Sequence, residues 1–304
     1  MNKIIFVAAV AALTAAGTAG AHAQSSGRYV KAADLDVSLV PASAHFLGFG
    51  GSYNTMNFGN QSVYAVGTSD VFQNGVLVSS GSAAGPASIG MGSASGLAPT
   101  VQGGFFQKFA GSEWLWGAKF SYSYLNANAT VRNALLPQAG SFTATGSTVP
   151  TAFTGNALVQ SYQTSIEHQL SFVPFIGRAF ERSFVYGGVG PTLSRTRTNL
   201  NGLIGFADIT GTPSDISGAP INLSSAGWVW GGAAVIGATY FLDRSWFVDF
   251  NYSYATTANQ TGNYFSPFTN PNGTNGSTIV GTLVGNSTGR VITQSVNLSI
   301  NKAF

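Results

Sequence analysis

Three histidines, His22, His45 and His168, are the residues from which metal or acid–base chemistry would have to start, and no two of them stand at metal-ligand spacing. The chain has no Cys, which removes disulfides, thiol nucleophiles and thiolate metal sites together. A serine hydrolase needs a His beside its nucleophile and an acid behind the His. His22 falls in an export signal, His45 at the start of a strand and His168 on an apolar strand face, so no enzyme, metal or cofactor is expected. Gly187-Gly188-Val189-Gly190 looks like a phosphate loop but lacks the following Lys-Ser/Thr and helix, and strand packing explains it. The triplets Asn272-Gly273-Thr274 and Asn286-Ser287-Thr288 reflect an Asn-rich composition rather than glycosylation. The ionisable residues that remain are few: Lys108, Lys119, Glu167 and Asp249 on one parity of their segments, Arg195 and Arg197 on the other, and Arg290 near the end.

These charges sit in an unusual background. Only 8% of the 304 residues are charged, against ~25% in ordinary soluble domains, while 44% are apolar and 39 are Gly. The balance of 13 Lys+Arg against 10 Asp+Glu is spread thinly and forms no basic patch, so nucleic acid is not an expected partner. Met1 to Ala23 reads as a secretory signal: Lys3, an Ile-Ile-Phe-Val and Ala-rich stretch, then Ala21-His22-Ala23 before Gln24. The mature chain is expected to be exported and, without a lipobox Cys, not to be a lipoprotein. Residues 24–43 read as a short periplasmic arm carrying Val30, Leu35, Val37 and Leu39.

Period-two alternation then recurs eight times. Trp114, Trp116, Ala118, Phe120, Tyr122 and Tyr124 oppose Gly117, Lys119, Ser121 and Ser123. Tyr162, Thr164, Ile166, His168, Leu170 and Phe172 oppose a wholly polar stripe that includes Glu167. Trp246 to Tyr254 oppose Phe247, Asp249, Asn251 and Ser253, and Val296, Leu298, Ile300 and Phe304 oppose Ser and Asn. Weaker members lie near 44–55, 98–109, 183–199 and 225–242; the last is a charge-free run whose glycines favour strand over helix. A polar stripe with an aromatic opposite face suits a lumen inside and lipid outside. Connections alternate as well. Short turns fall near 110–112, 176–182 and 243–245, and long segments rich in Gly, Ser, Thr and Asn fall near 56–97, 127–156, 201–224 and 259–288. This pattern predicts an all-β, eight-stranded antiparallel up-and-down transmembrane barrel over 44–304, with periplasmic turns and four long extracellular loops. Gln73-Asn74-Gly75 between apolar pairs predicts a tight hairpin within the first loop.

The segment Phe184-Val185-Tyr186-Gly187-Gly188-Val189-Gly190, the unit Gly237 to Trp246 followed by Phe250-Asn251-Tyr252-Ser253-Tyr254, and the terminal Phe304 resemble those of small OmpA-type or opacity-type outer-membrane barrel proteins. That resemblance implies residence in the outer membrane of a Gram-negative-type cell, adhesion through surface loops, and a role for Phe304 as the signal read by the barrel-assembly machinery. Lys302 stands where that pattern commonly has an aromatic residue.

Inside such a barrel the four parity-matched charges must pair, and Lys119 with Glu167 on the adjacent strand is the first expected pair. Lys108 and Asp249 complete the expected lumen set. Arg195 and Arg197 lie about a dozen residues past the turn preceding their strand, so they are expected at the outer headgroup level, where they and Arg290 would meet lipopolysaccharide phosphates. Function then divides between a structural, surface-exposed barrel that contacts host, matrix or other external partners through its loops and a small-solute channel of low conductance. Phe106, Phe184, Tyr186 and Phe247 at lumen parity argue against the channel.

Overall fold

The computed structural model describes residues 38–209 and 211–304; the expected export signal and residues 24–37 of the expected arm lie outside the described residues. Thirteen strands run in chain order: β1 (Ser43–Asn57), β2 (Asn60–Gln73), β3 (Val76–Gly90), β4 (Ser93–Lys108), β5 (Trp114–Ala144), β6 (Thr151–Ala179), β7 (Ser183–Ile209), β8 (Thr212–Asp215), β9 (Ile221–Phe241), β10 (Trp246–Thr257), β11 (Gln260–Asn270), β12 (Thr278–Gly289) and β13 (Ile292–Ala303). Eight of them close a ring, β1-β4-β5-β6-β7-β9-β10-β13 and back to β1, with every pair antiparallel. Closure leaves no strand edge, which is the condition for a sheet to cross a bilayer. The charge-free run expected as strand is β9.

The four segments expected as long loops are mostly strand. β5, β6 and β7 are 31, 29 and 27 residues long, whereas a bilayer crossing takes ~9–11. Of the other five members of the ring, β9 runs unbroken for 21 residues and four are extended by second strands. β1 continues into β2 across Phe58-Gly59, β3 into β4 across Met91-Gly92, β10 into β11 across Ala258-Asn259, and β12 into β13 across Arg290-Val291. The continuations pair in the same order, with β11 to β12, β12 to β2, β2 to β3 and β3 to β5. The tube therefore has a proximal half, holding the described C-terminus and the short turns, and a distal half made of hairpins. Between β9 and β11 in the distal half no backbone ladder is formed among the described residues; Gln260 of β11 accepts a hydrogen bond from Thr196 of β7, the strand on the far side of β9. The expected hairpin turn is the β2–β3 connection, with Asn74 and Gly75 both left-handed at φ 51° and 79°, as a type I′ turn requires.

The boundary between the halves is marked by bulges. On β6 the register against β7 shifts between Ile166 and His168, leaving Glu167 as the extra residue, and on β5 it shifts between Tyr124 and Ala127. Because side-chain direction alternates strictly along a strand, one inserted residue exchanges inside for outside. Below the bulge Gln169, Val173 and Phe175 point inward and Phe172 and Ile176 outward; above it Tyr162, Thr164 and Ile166 are the buried side chains. The single apolar face read from Tyr162 to Phe172 is thus two faces, the first lining the distal interior and the second facing outward.

Outside the proximal half, Phe49, Trp116, Phe120, Ile236, Phe250 and Leu298 are exposed, forming the apolar and aromatic band that a bilayer accepts. Its proximal rim carries Trp114, Tyr240 and Trp246, and its distal rim Tyr53, Tyr124, Trp228 and Tyr254. These are two aromatic belts of the kind that sit at headgroup level.

Candidate functional site

The proximal lumen is closed in two layers. The first is aromatic. Phe106 meets Phe184 at 5.1 Å between ring centroids, Phe241 meets Phe247 at 4.9 Å and Phe175 meets Tyr186 at 5.0 Å, with Phe46 packed edge-on to Phe247. Val40, from the described end of the expected arm, is buried beneath them, and the neighbouring Leu39 donates its backbone N–H to the Glu181 carbonyl at 2.8 Å. All four aromatics expected at lumen parity lie in this layer.

The second layer is a polar clamp centred on Asp249, which is 2% exposed. Its carboxylate receives Lys119 Nζ at 3.2 Å, the Tyr186 hydroxyl at 2.8 Å, Gln102 Nε2 at 3.1 Å and Asn251 Nδ2 at 2.8 Å. Lys119 Nζ also donates to the Tyr186 oxygen at 2.6 Å and lies 4.9 Å from that ring's centroid. Gln102 reaches on to Asn301 at 2.8 Å, and Asn251 accepts from Asn297 at 2.9 Å. Strands β4, β5, β7, β10 and β13 are therefore tied across the lumen through one carboxylate. A buried ion pair holds only if its remaining valences are satisfied; here the carboxylate accepts four donors. Backbone glycine makes the room. A Cβ on Gly237 would stand 2.7 Å from the Tyr186 hydroxyl, and one on Gly48 would run into the Asn301 side chain.

The expected Lys119–Glu167 pair is corrected by this geometry. Lys119 pairs with Asp249, and Glu167, carried to the outside by its bulge, pairs with Arg195 Nε at 3.2 Å and Arg197 Nε at 3.1 Å. Lys108 has lumen parity but sits at the proximal mouth, 3.5 Å from the Ser38 hydroxyl, and forms no ion pair among the described residues. Tyr186, Gln102, Asn251 and Asn301 are the clamp members that charge counting missed. Their polar parity was visible beside Asp249, but which of them meet across the lumen depends on shear and tilt rather than on any one strand.

Arg195 and Arg197 keep the expected outward parity and lie in the distal aromatic belt. Tyr124 pairs with His168, His168 with Arg195, and Arg195 with Trp228 in one row across β5, β6, β7 and β9. Tyr122 and His168 Nδ1 share a hydrogen bond of 2.9 Å, and the His168 ring stacks 6.2 Å from Trp228. Arg290 does not join this row. It lies at the β12–β13 junction and lines a small void with Thr196 and Thr198, residues on the opposite face of β7. Phe304 is 72% exposed at the proximal rim; it donates its N–H to the His45 carbonyl at 2.8 Å, and Lys302 Nζ lies 5.5 Å from its ring and 5.7 Å from that of Trp246. Lys302 thereby spans two aromatics of the rim, a cation–π arrangement that suits the place of an interfacial residue.

No protein-family model and no curated protein sequence matches the chain. Among solved structures it is similar to the outer membrane protein OprG from Pseudomonas aeruginosa, 11% identical over 88% of this chain and 99% of that one, TM-score 0.33. It is similar also to Neisserial surface protein A, 9% identical over 81% and 97%, TM-score 0.28, and to Ail, the attachment invasion locus protein of Yersinia pestis, 13% identical over 77% and 99%, TM-score 0.23.

Proposed function

We propose that the chain is a non-enzymatic, surface-exposed barrel of the outer membrane that carries its distal half into the surroundings to contact external partners such as host, matrix or a neighbouring cell. The observation that carries this reading is the pairing of a blocked lumen with a tube far longer than a bilayer. β5 runs about 100 Å at ~3.3 Å per residue, so most of it lies beyond the apolar band. The resemblance to opacity-type barrels points the same way, toward adhesion. A low-conductance channel is the competing outcome of the test. Because the chain has no Cys, single cysteines at Ser112, in a short turn, and Ser147, in the β5–β6 tip, report orientation directly. An impermeant maleimide on intact cells should label Ser147→Cys and spare Ser112→Cys, and planar bilayers should show only small, rare openings. Steady, frequent openings, even of small size, would install the channel instead.

Two partners belong to the same reading. Lipopolysaccharide phosphates fit the outward row of Arg195 and Arg197 at belt height, since charge-assisted contacts are about twice as strong as neutral ones. Arg195→Gln with Arg197→Gln should weaken lipopolysaccharide co-purification at equal folding yield. Glu167→Gln, which frees both guanidiniums from their carboxylate, should strengthen it. Equal retention in all three proteins would reduce the row to ordinary rim charges. The barrel-assembly machinery is the second partner: removal of Phe304 should slow assembly in cells, and unchanged assembly kinetics would remove that role.

A further inference from the structure

Beyond contact through its surface, the geometry points to a binding site for a small uncharged apolar molecule, taken from the medium, inside the distal half of the tube. A cavity of about 430 Å³ lies there, within the ~300–1,000 Å³ typical of ligand pockets. Phe142, Phe153, Leu203, Phe206, Ile221 and Phe268 contribute from five different strands, so the hollow is walled around the tube rather than scooped from one face. Among the described residues no Asp, Glu, Lys, Arg or His lines it; the polar lining is amide and hydroxyl, such as Gln138 and Asn156. This is the composition of a site that takes up an apolar body and orients it through a few neutral hydrogen bonds. A charged or strongly hydrated ligand would lose its water there without a counter-charge in return.

The height of the cavity settles where the ligand comes from. Phe142 lies roughly 60 Å of strand beyond Tyr124 of the distal belt, at ~3.3 Å per residue. Acyl chains of the membrane end below that belt, so the molecule enters from the aqueous side. It also goes no further. Beneath the cavity the tube is filled by Leu136, Val159, Tyr162, Ile166 and Phe58, all at most 1% exposed, then by the clamp and the aromatic layer. The site is a dead-end receptacle, not the mouth of a conduit.

The inference rests on the reading that the distal half faces outward, and the test separates the two. Isoleucine-methyl NMR of the full barrel in lipid nanodiscs gives reporters in both places: Ile209, Ile216, Ile221 and Ile279 line the cavity, and Ile176, Ile236 and Ile300 lie on the outward face of the proximal half. Titration with naphthalene should produce saturable shifts at the first four. Shifts confined to the last three would mean partition into lipid alone and would overturn the proposal, as would no saturable shift anywhere. Ala157→Phe, which fills the hollow, should weaken the response roughly tenfold. Should that variant fail to fold, Phe268→Ser, which makes one wall polar, should weaken it as well; unchanged affinity in a folded variant of either kind counts against the site. Saturable binding together with absent labelling of Ser147→Cys on cells would leave the site standing and remove the outward orientation.

Discussion

The two halves of this tube are built from the same eight lines of strand and are inverted with respect to each other. In the proximal half the outside is aromatic and aliphatic and the inside is a buried carboxylate with its donors. In the distal half Asn128, Thr130, Arg132 and Asn201 are outside along with some apolar residues such as Phe265 and Val284, while Met56, Phe58, Leu136, Val159, Tyr162 and Leu283 pack inside, as in a water-soluble barrel. The solvent on the outer face decides each arrangement. Lipid makes apolar outer side chains free of cost and forbids unpaired charge, so the proximal charges turn inward and pair. Water makes the inner apolar cluster favourable at ~25 cal/mol per Å² of apolar area buried. On β6 a single residue accomplishes the exchange, because the Glu167 bulge moves one continuous apolar stripe from inside to outside without changing its composition.

That comparison fails most visibly if the distal faces of β6 are reversed. Deleting Gln163, in the ladder above the bulge, joins Tyr162 directly to Thr164 and reverses the faces on one side of the gap, so either Tyr162 and Val159 or Thr164 and Ile166 leave the distal interior. Losing burial of Tyr162 and Val159 alone amounts to about 3–6 kcal/mol, at ~1.5–3 kcal/mol per large side chain. Limited proteolysis should then cut throughout 127–166 instead of only at the hairpin tips, whereas deleting Glu167 itself, which sets the inward Ile166 beside the outward His168 in regular alternation, should leave the digestion pattern unchanged. Digestion of the Glu167 deletion throughout 127–166 would show that the inversion needs the bulge itself and not only the change of parity.

The clamp comes next in size. Lys119→Met strands the Asp249 carboxylate in the lumen and should lower the unfolding free energy by about 3–5 kcal/mol, read from urea titrations in lipid. Adding Asp249→Asn should recover more than half, because the uncompensated charge is gone while Tyr186 and Gln102 keep an acceptor. Glu167→Gln, in a half-exposed cluster at the rim, should change stability by no more than ~1 kcal/mol. Reversal of that order, with Glu167 the costly site, would restore the pairing that strand parity alone suggests.

The barrel, its short turns and its lumen aromatics were legible because each depends on period-two pattern or on connection length, both local properties. Three features were not. The pairing of Lys119 was misassigned because neighbouring strands are visible in a sequence while contacts across a lumen are not; Asp249 is distant in the ring order but close through the interior. The distal strands read as loops because the long segments are rich in Gly, Ser, Thr and Asn when taken together, and on β5 the alternation is interrupted at Asn126 and Asn133, both at positive φ. The Glu167 bulge left no compositional mark at all. A bulge is detectable only as a switch in which parity is buried, and on β6 both parts of the stripe are apolar.

A smaller effect separates room from chemistry in the clamp. Gly237→Val leaves every charged group in place but puts side-chain atoms where the Tyr186 hydroxyl and the Asn251 Cβ stand, each 2.7 Å from a Cβ at that position. Overpacking of this kind costs about 1–3 kcal/mol. The variant should unfold at lower urea than the parent, and Tyr186→Phe in the same background should return part of the loss. No return would mean that the strain falls on β10 through Asn251 and not on the hydroxyl.

The smallest effect lies outside the membrane, in the turn between β9 and β10. Asp243 Oδ1 accepts from Ser245 N at 2.7 Å, Trp246 N at 2.8 Å and the Ser245 hydroxyl at 3.0 Å. The two backbone donors stabilise the ionised carboxylate and hold its pKa below the ordinary 3.8, although the group is fully exposed. A folded-state pKa below the unfolded value means that the contribution is complete above the unfolded value and disappears as pH falls through the folded one. Asp243→Asn keeps an acceptor oxygen but has no charge to lose, so it should unfold slightly more easily than the parent at neutral pH. The two urea midpoints should converge as pH drops below 3.8. Because the turn is screened by water, the gap should also narrow in high salt at neutral pH. A gap that stays constant from neutral to strongly acid pH would show that Asp243 acts through the shape of its side chain and not through its charge.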